Sequence, residues 1–156
     1  MENSFPSDQP IVQTVVYPAH FESLDNLRGF VGGIAEACDF KEKDVYAVQM
    51  AVDEAFTNIV EHAYGGESDE NIECICEVDE SSLRITLRDC GRRSFNPDEI
   101  PEPDLDAPLE ERETGGLGLF FMRQLMDDVH FYFYDSEEGE NGCNVVTMTK
   151  RRVRQT

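Results

Sequence analysis

Positive charge is scarce in this sequence: 13 Lys and Arg stand against 33 Asp and Glu, a formal net charge of −20 over 156 residues. A surface so acidic repels phosphate backbones, which argues against direct nucleic-acid binding. Any phosphate-bearing ligand must then be held by local devices such as helix N-termini, backbone amides or a metal ion. Metal-site spacing is also lacking. Cys38, Cys74, Cys76, Cys90 and Cys143 are scattered, and His20, His62 and His130 stand far apart. No zinc pattern results, and the expectation is five reduced cysteines, as in a cytoplasmic protein. A strand would place Cys74 and Cys76 on one face. No signal peptide opens the chain and no apolar run approaches about 20 residues, so a soluble, non-secreted protein with no membrane partner is expected.

What is present suits one folded domain. Hydrophobic residues make up 40% of the chain and Phe alone contributes 10, enough for a single core at this length. Residues 1–10 hold two prolines and read as a flexible N-terminal arm. Ile11–Tyr17 is β-branched and reads as a strand, and Phe21 to Ala37 has apolar residues at helical spacing. Lys41 to Tyr64 is the clearest helix: Val45, Val48, Val52, Ala55, Phe56, Ile59 and Ala63 form one stripe, and Gly65-Gly66 ends it. Strands are expected at Ile72–Val78, Leu83–Arg88, Val129–Tyr134 and Asn144–Thr149. A further helix is expected from Leu119 to Met126. Between Gly91 and Thr114 lies an irregular segment with four prolines, including eight acidic residues from Asp98 to Glu113. The order β-α-α-β-β-loop-α-β-β predicts an α+β fold, a two-layer α/β sandwich with helices on one face of a mixed, mostly antiparallel sheet.

Three constellations carry chemistry. On the long helix, Glu54 and Asn58 lie one turn apart, nearly opposite the apolar stripe, beside the small residues Ala47 and Ala51. The alanines leave room for a bulky group against that face. A Glu there can act as a base, and an Asn offers a neutral oxygen to Mg²⁺. His62, one turn further, either contacts the ligand or caps the helix end. The second constellation is Arg88-Asp89-Cys90-Gly91 at a strand end. Its Asp either begins a turn or accepts a hydrogen bond from an exocyclic amine such as that of adenine, with Gly91 allowing close approach. The third is Thr114-Gly115-Gly116-Leu117-Gly118-Leu119, whose glycines bare backbone amides at a helix N-terminus. It matches neither the spacing nor the lysine of a P-loop.

In this order the three resemble the N, G1 and G2 boxes of the GHKL ATPase superfamily, which has the Bergerat fold. Within it the chain looks most like the bacterial anti-sigma-factor serine/threonine kinases. The resemblance runs from about Ile11 to Lys150, leaving 151–156 as a basic tail. It is carried by AVDEAFTNIVEHAY (Ala51–Tyr64), PEPDLDAPLEER (Pro101–Arg112), GGLGLFFMRQLMDDV (Gly115–Val129) and NGCNVVTMTK (Asn141–Lys150).

The resemblance implies that Glu54 is the general base and Asn58 the protein ligand of Mg²⁺. Asp89 and Gly91 would bind adenine, and Gly115, Gly116, Leu117, Gly118 and Leu119 would wrap the phosphates of ATP. His62 joins them as a candidate nucleotide contact, and residues of about 92–114 would form an ATP lid. Implied partners are a STAS-type anti-anti-sigma protein, a sigma factor and a second copy of the chain. Some positions depart from the family's pattern. Arg92-Arg93 replaces the second glycine of the G1 box and Phe95 sits one residue late. Asn144 stands where a threonine is usual, and Arg112 is the candidate lid arginine. A nucleotide-gated binding module with little or no transfer is the alternative.

Overall fold

A computed structural model describes residues 11–90, 114–134 and 142–152. Strand β1 (Ile11–Ala19) leads through a 3-10 turn (Phe21–Ser23) into α1 (Leu24–Ala37), followed by α2 (Glu42–Asn58) and a π-helical turn (Ile59–Ala63). Strands β2 (Ser68–Val78) and β3 (Ser82–Asp89) form a hairpin; α3 (Thr114–Leu125), β4 (Asp128–Tyr134) and β5 (Cys143–Arg151) complete the order. The strands lie in the sequence β1-β2-β3-β5-β4, and all four pairings are antiparallel. α2 packs against both α1 and α3, so the helices form one layer and the sheet the other.

Period-two patterning explains which sheet face is covered. Ile72, Cys74, Cys76 and Val78 on β2, Leu83, Ile85 and Leu87 on β3, and Val146 and Met148 on β5 are buried with the α2 stripe. Phe56, Leu27 and Met122 supply the helical side of that core and are also fully buried. The opposite face follows one rung across the sheet, Val16–Glu73–Arg88–Val145–Tyr132, on which Val16 and Tyr132 are exposed.

Local chemistry sets the joints. Asp79 closes the β2–β3 turn by accepting from the amides of Ser81 (2.7 Å) and Ser82 (2.8 Å), as Asx turns do. The Ser81 amide above all, with the Ser81 hydroxyl and Ser82, holds its carboxyl below the usual range against the opposing effect of burial. The π turn ends at Gly65 and Gly66, whose φ of 73° and 140° favour glycine. Lys150 Nζ donates to the carbonyl of Leu125 at 2.7 Å, capping the last turn of α3 with a cation where the helix dipole is negative.

Several features differ from sequence expectation. α3 begins at Thr114 rather than after Gly118, because packing against α2 overrides the low helix propensity of three glycines. Cys90 and Cys143 are joined by a disulfide, contrary to five reduced thiols. The β3–β5 register pairs Asp89 with Asn144, which sets the next residues, Cys90 and Cys143, opposite each other. Cys38, Cys74 and Cys76 are free and buried.

Candidate active site

Glu54 sits midway along the last two turns of α2. An added Cβ at Gly118 would lie 2.2 Å from Oε2 of Glu54, so its carboxylate rests directly on the backbone of the first turns of α3. The amides of Gly115, Gly116 and Leu117 belong to that first helical turn, where backbone donors have no intrahelical acceptor. A carboxylate and a helix start with unpaired backbone amides are thereby brought together by the absence of a side chain at one position. Burial raises the pKa of Glu54, and the nearby charges of Asp53 and Glu61 raise it further. A carboxylate displaced toward neutral pH is suited to accept a proton.

Asn58 lies one turn beyond Glu54 and is 3% exposed. Its Nδ2 has no hydrogen-bond partner among the described residues, although buried amides are ordinarily satisfied. Asn58 and Asn144 line one narrow crevice, with Ala55, Ile59, Phe131 and Val146. Asn144 in turn donates from Nδ2 to Oδ2 of Asp89 at 3.2 Å, and Asp89 is 1% exposed. The end of β3, the start of β5 and the end of α2 therefore converge.

Other positions fall out differently. Ala47 and Ala51 are buried; the space beside them is taken up by protein, and Glu54 meets α3 there. Leu119 is 6% exposed and belongs to the core, so only its backbone is available to a ligand. His62, on the π turn, is part-buried. Gly91 and Arg112, with most of the expected lid, lie outside the described residues.

Two neighbours of the site carried no sequence signal. Tyr64 directly follows the π turn, and the pKa of its phenol is pushed upward by burial, then by the charges of Asp89 and Glu70. Arg28 of α1 donates to Asp53 at 2.8 Å and also pairs with Asp25. It thereby partly neutralises the charge next to Glu54. Both depend on contacts across elements, which residue spacing does not encode.

The fit to a magnesium ion rests on Asn58. Its carboxamide oxygen is the kind of neutral donor taken by a cation that uses one or two protein oxygens and completes its shell with phosphates and water, whereas the unpartnered Nδ2 is a donor that fits an acceptor such as a phosphate oxygen or water. Among the described residues no group of three or more His, Cys, Asp or Glu side chains forms a metal cage, and this binding mode uses none.

Comparison with known proteins identifies the family and the fold. The family of histidine kinase-like ATPase domains matches residues 17–150. The chain is 36% identical over 141 residues to Serine-protein kinase RsbW of Listeria monocytogenes, covering 88% of this chain and 85% of that protein. Identity to Serine-protein kinase RsbW of Halalkalibacterium halodurans is 33% over 148 residues, 91% and 84% of the two chains. The fold also superimposes on a crystal structure of the RsbU and RsbW domains of a Mycobacterium tuberculosis protein. There the TM-score is 0.63 at 16% identity, over 94% of this chain and 34% of that one. The fold is thus shared with that structure, and the chain belongs to the histidine kinase-like ATPase family of the GHKL superfamily, in its branch of serine-protein kinases.

Proposed function

We propose that this chain is an ATP-dependent anti-sigma factor that phosphorylates a Ser or Thr of a STAS-type anti-anti-sigma protein and sequesters a sigma factor. The observation that carries the reading is the seat of Glu54, with a raised pKa, on Gly118 at the start of α3. Glu54 takes the proton of the acceptor hydroxyl. The amides of Gly115 to Gly118 hold the phosphates, and Asp89, oriented by Asn144, accepts from the adenine amine. Asn58 would hold Mg²⁺, which supplies neutralisation of phosphate charge when bound. His62, Leu117, Leu119, Gly91 and Arg112 complete the proposed nucleotide contacts, and residues of about 92–114 the lid. Exposed Val12, Val16 and Tyr132 lie on the sheet face that no described helix covers, and we assign that face to a second copy of the chain.

The direct test is transfer from radiolabelled Mg-ATP to the STAS-domain protein encoded nearest this one, with wild type and Glu54→Ala side by side. Label on Ser or Thr that falls roughly 10²–10⁴-fold in the variant is expected for loss of a general base. The replacement of the G1-box glycine by Arg92-Arg93 favours one other reading, a nucleotide-gated binding module. Tight ATP binding without any label on the partner would favour it.

A further inference from the structure

The Cys90–Cys143 disulfide occupies a position that the kinase reaction does not use. It lies directly beyond the last rung of the β3–β5 ladder, the Asp89–Asn144 pair. The two sulfurs differ in access: Cys90 is exposed, whereas Cys143 is 4% exposed. Arg88 Nη2 lies 3.9 Å from Sγ of Cys143, and the same guanidinium lies 3.9 Å from Glu73. An accessible sulfur joined to a buried one beside a cation is an arrangement that favours thiol–disulfide exchange. The exposed atom is attacked, and a positive charge stabilises the leaving thiolate.

We propose that Cys90–Cys143 is a thiol–disulfide exchange site for low-molecular-weight thiols and dithiols, and that its state sets the affinity of the adjoining adenine pocket. A thiolate RS⁻ attacks Sγ of Cys90; the S–S bond breaks and Cys143 leaves as a thiolate beside Arg88. A second RS⁻ attacks the mixed disulfide, releasing Cys90 as a thiolate and RSSR. Both protein thiolates then take up protons, so two thiols are oxidised as one protein disulfide is reduced. The reverse sequence, starting from RSSR, rebuilds the bond. Cys38, Cys74 and Cys76 are buried and take no part.

The coupling is positional. The disulfide ties Cys90 to Cys143, the residues directly following Asp89 and directly preceding Asn144. While it is intact, the Asn144 carboxamide is held against Asp89 at 3.2 Å and the adenine acceptor is preorganised. Reduction lets the ladder open at this end. Loss of one such preorganised hydrogen bond weakens ATP binding by roughly 3- to 10-fold. This inference rests on the ATP-site reading above.

The test uses the full chain equilibrated in glutathione buffers of graded redox poise. Differential alkylation with peptide mass spectrometry reads the state of each cysteine, and a fluorescent ATP analogue with Mg²⁺ reads affinity in the same samples. The expected result is a Cys90–Cys143 bond that forms and breaks reversibly, with the reduced form binding the analogue roughly 3- to 10-fold more weakly. Cys90→Ser, at an exposed position, should bind like the reduced form in every buffer, and Arg88→Gln should slow reduction of the bond. Equal affinity in both states, or cysteines that stay unbonded under oxidising poise, would overturn the proposal. If alkylation tracks the pair but neither state binds nucleotide, the assignment of the pocket to ATP falls, and the coupling with it.

Discussion

A single methyl group separates two functions of Gly118. Alanine is favoured over glycine in a helix interior by about 0.8–1.0 kcal/mol, yet its Cβ would meet the Glu54 carboxylate 2.2 Å away. The carboxylate is the far end of a flexible side chain, so it swings aside and the fold survives. Gly118→Ala is therefore expected to leave the melting temperature within a few degrees while phosphate transfer falls by an order of magnitude or more. Parallel thermal melts and transfer assays decide this; an unimpaired rate would show that Glu54 needs no contact with α3. The raised pKa of Glu54 has a stability consequence whose sign is fixed. Because the folded value lies above the unfolded one, ionised Glu54 opposes folding. That cost is absent below the unfolded pKa and grows as pH rises through the folded pKa. Glu54→Gln should therefore stabilise the protein at neutral pH, with the gain vanishing toward pH 4, as denaturant titrations across that range would reveal. The spacing of Glu54 and Asn58 was plain in the sequence, as was Asp89 at a strand end. The burial of Asn58 was not, because it depends on β4 and β5 closing over the end of α2.

At the scale of elements, the α1–α2 contact rests on another glycine. A Cβ on Gly32 would lie 2.3 Å from Nε2 of Gln49, and that nitrogen donates to the carbonyl of Arg28 at 3.1 Å. Gln49 can yield to one methyl group, but a leucine would also have to displace α2. Gly32→Leu should destabilise the fold by about 1–3 kcal/mol, measured by urea unfolding; a smaller loss would mean that the helices are not closely packed there. The sequence reading located each described helix and strand to within a few residues, because the stripes of α2 and the alternation of β2 and β3 follow from burial on one side. It placed the start of α3 too late, since propensity alone treats Thr114–Gly118 as a loop. It also extended α2 as a regular helix to Tyr64. The backbone instead widens into a π turn from Ile59, where the amide of Tyr64 bonds the carbonyl of Ile59 at 3.3 Å. Such turns concentrate at functional sites, and this one carries His62 and leads to Tyr64, whose phenol feels the charge of Asp89.

For the whole molecule, the tension lies between a net charge of −20 and the proposed polyanionic ligand. Long-range repulsion is screened within about 8 Å at physiological ionic strength, so binding is decided by the groups in direct reach of the phosphates. In the proposed site those would be the amides opening α3 and a cation held by Asn58. Glu54 adds a like charge and contributes nothing favourable to ground-state affinity. The most direct measurement is calorimetric titration of Mg-ATP into wild type, Glu54→Gln and Asn58→Ala. Binding by Glu54→Gln at least as tight as wild type, with at least a tenfold loss in Asn58→Ala, is the predicted result. Loss of affinity in Glu54→Gln, or none in Asn58→Ala, would contradict the division between a carboxylate that reacts and a carboxamide that binds.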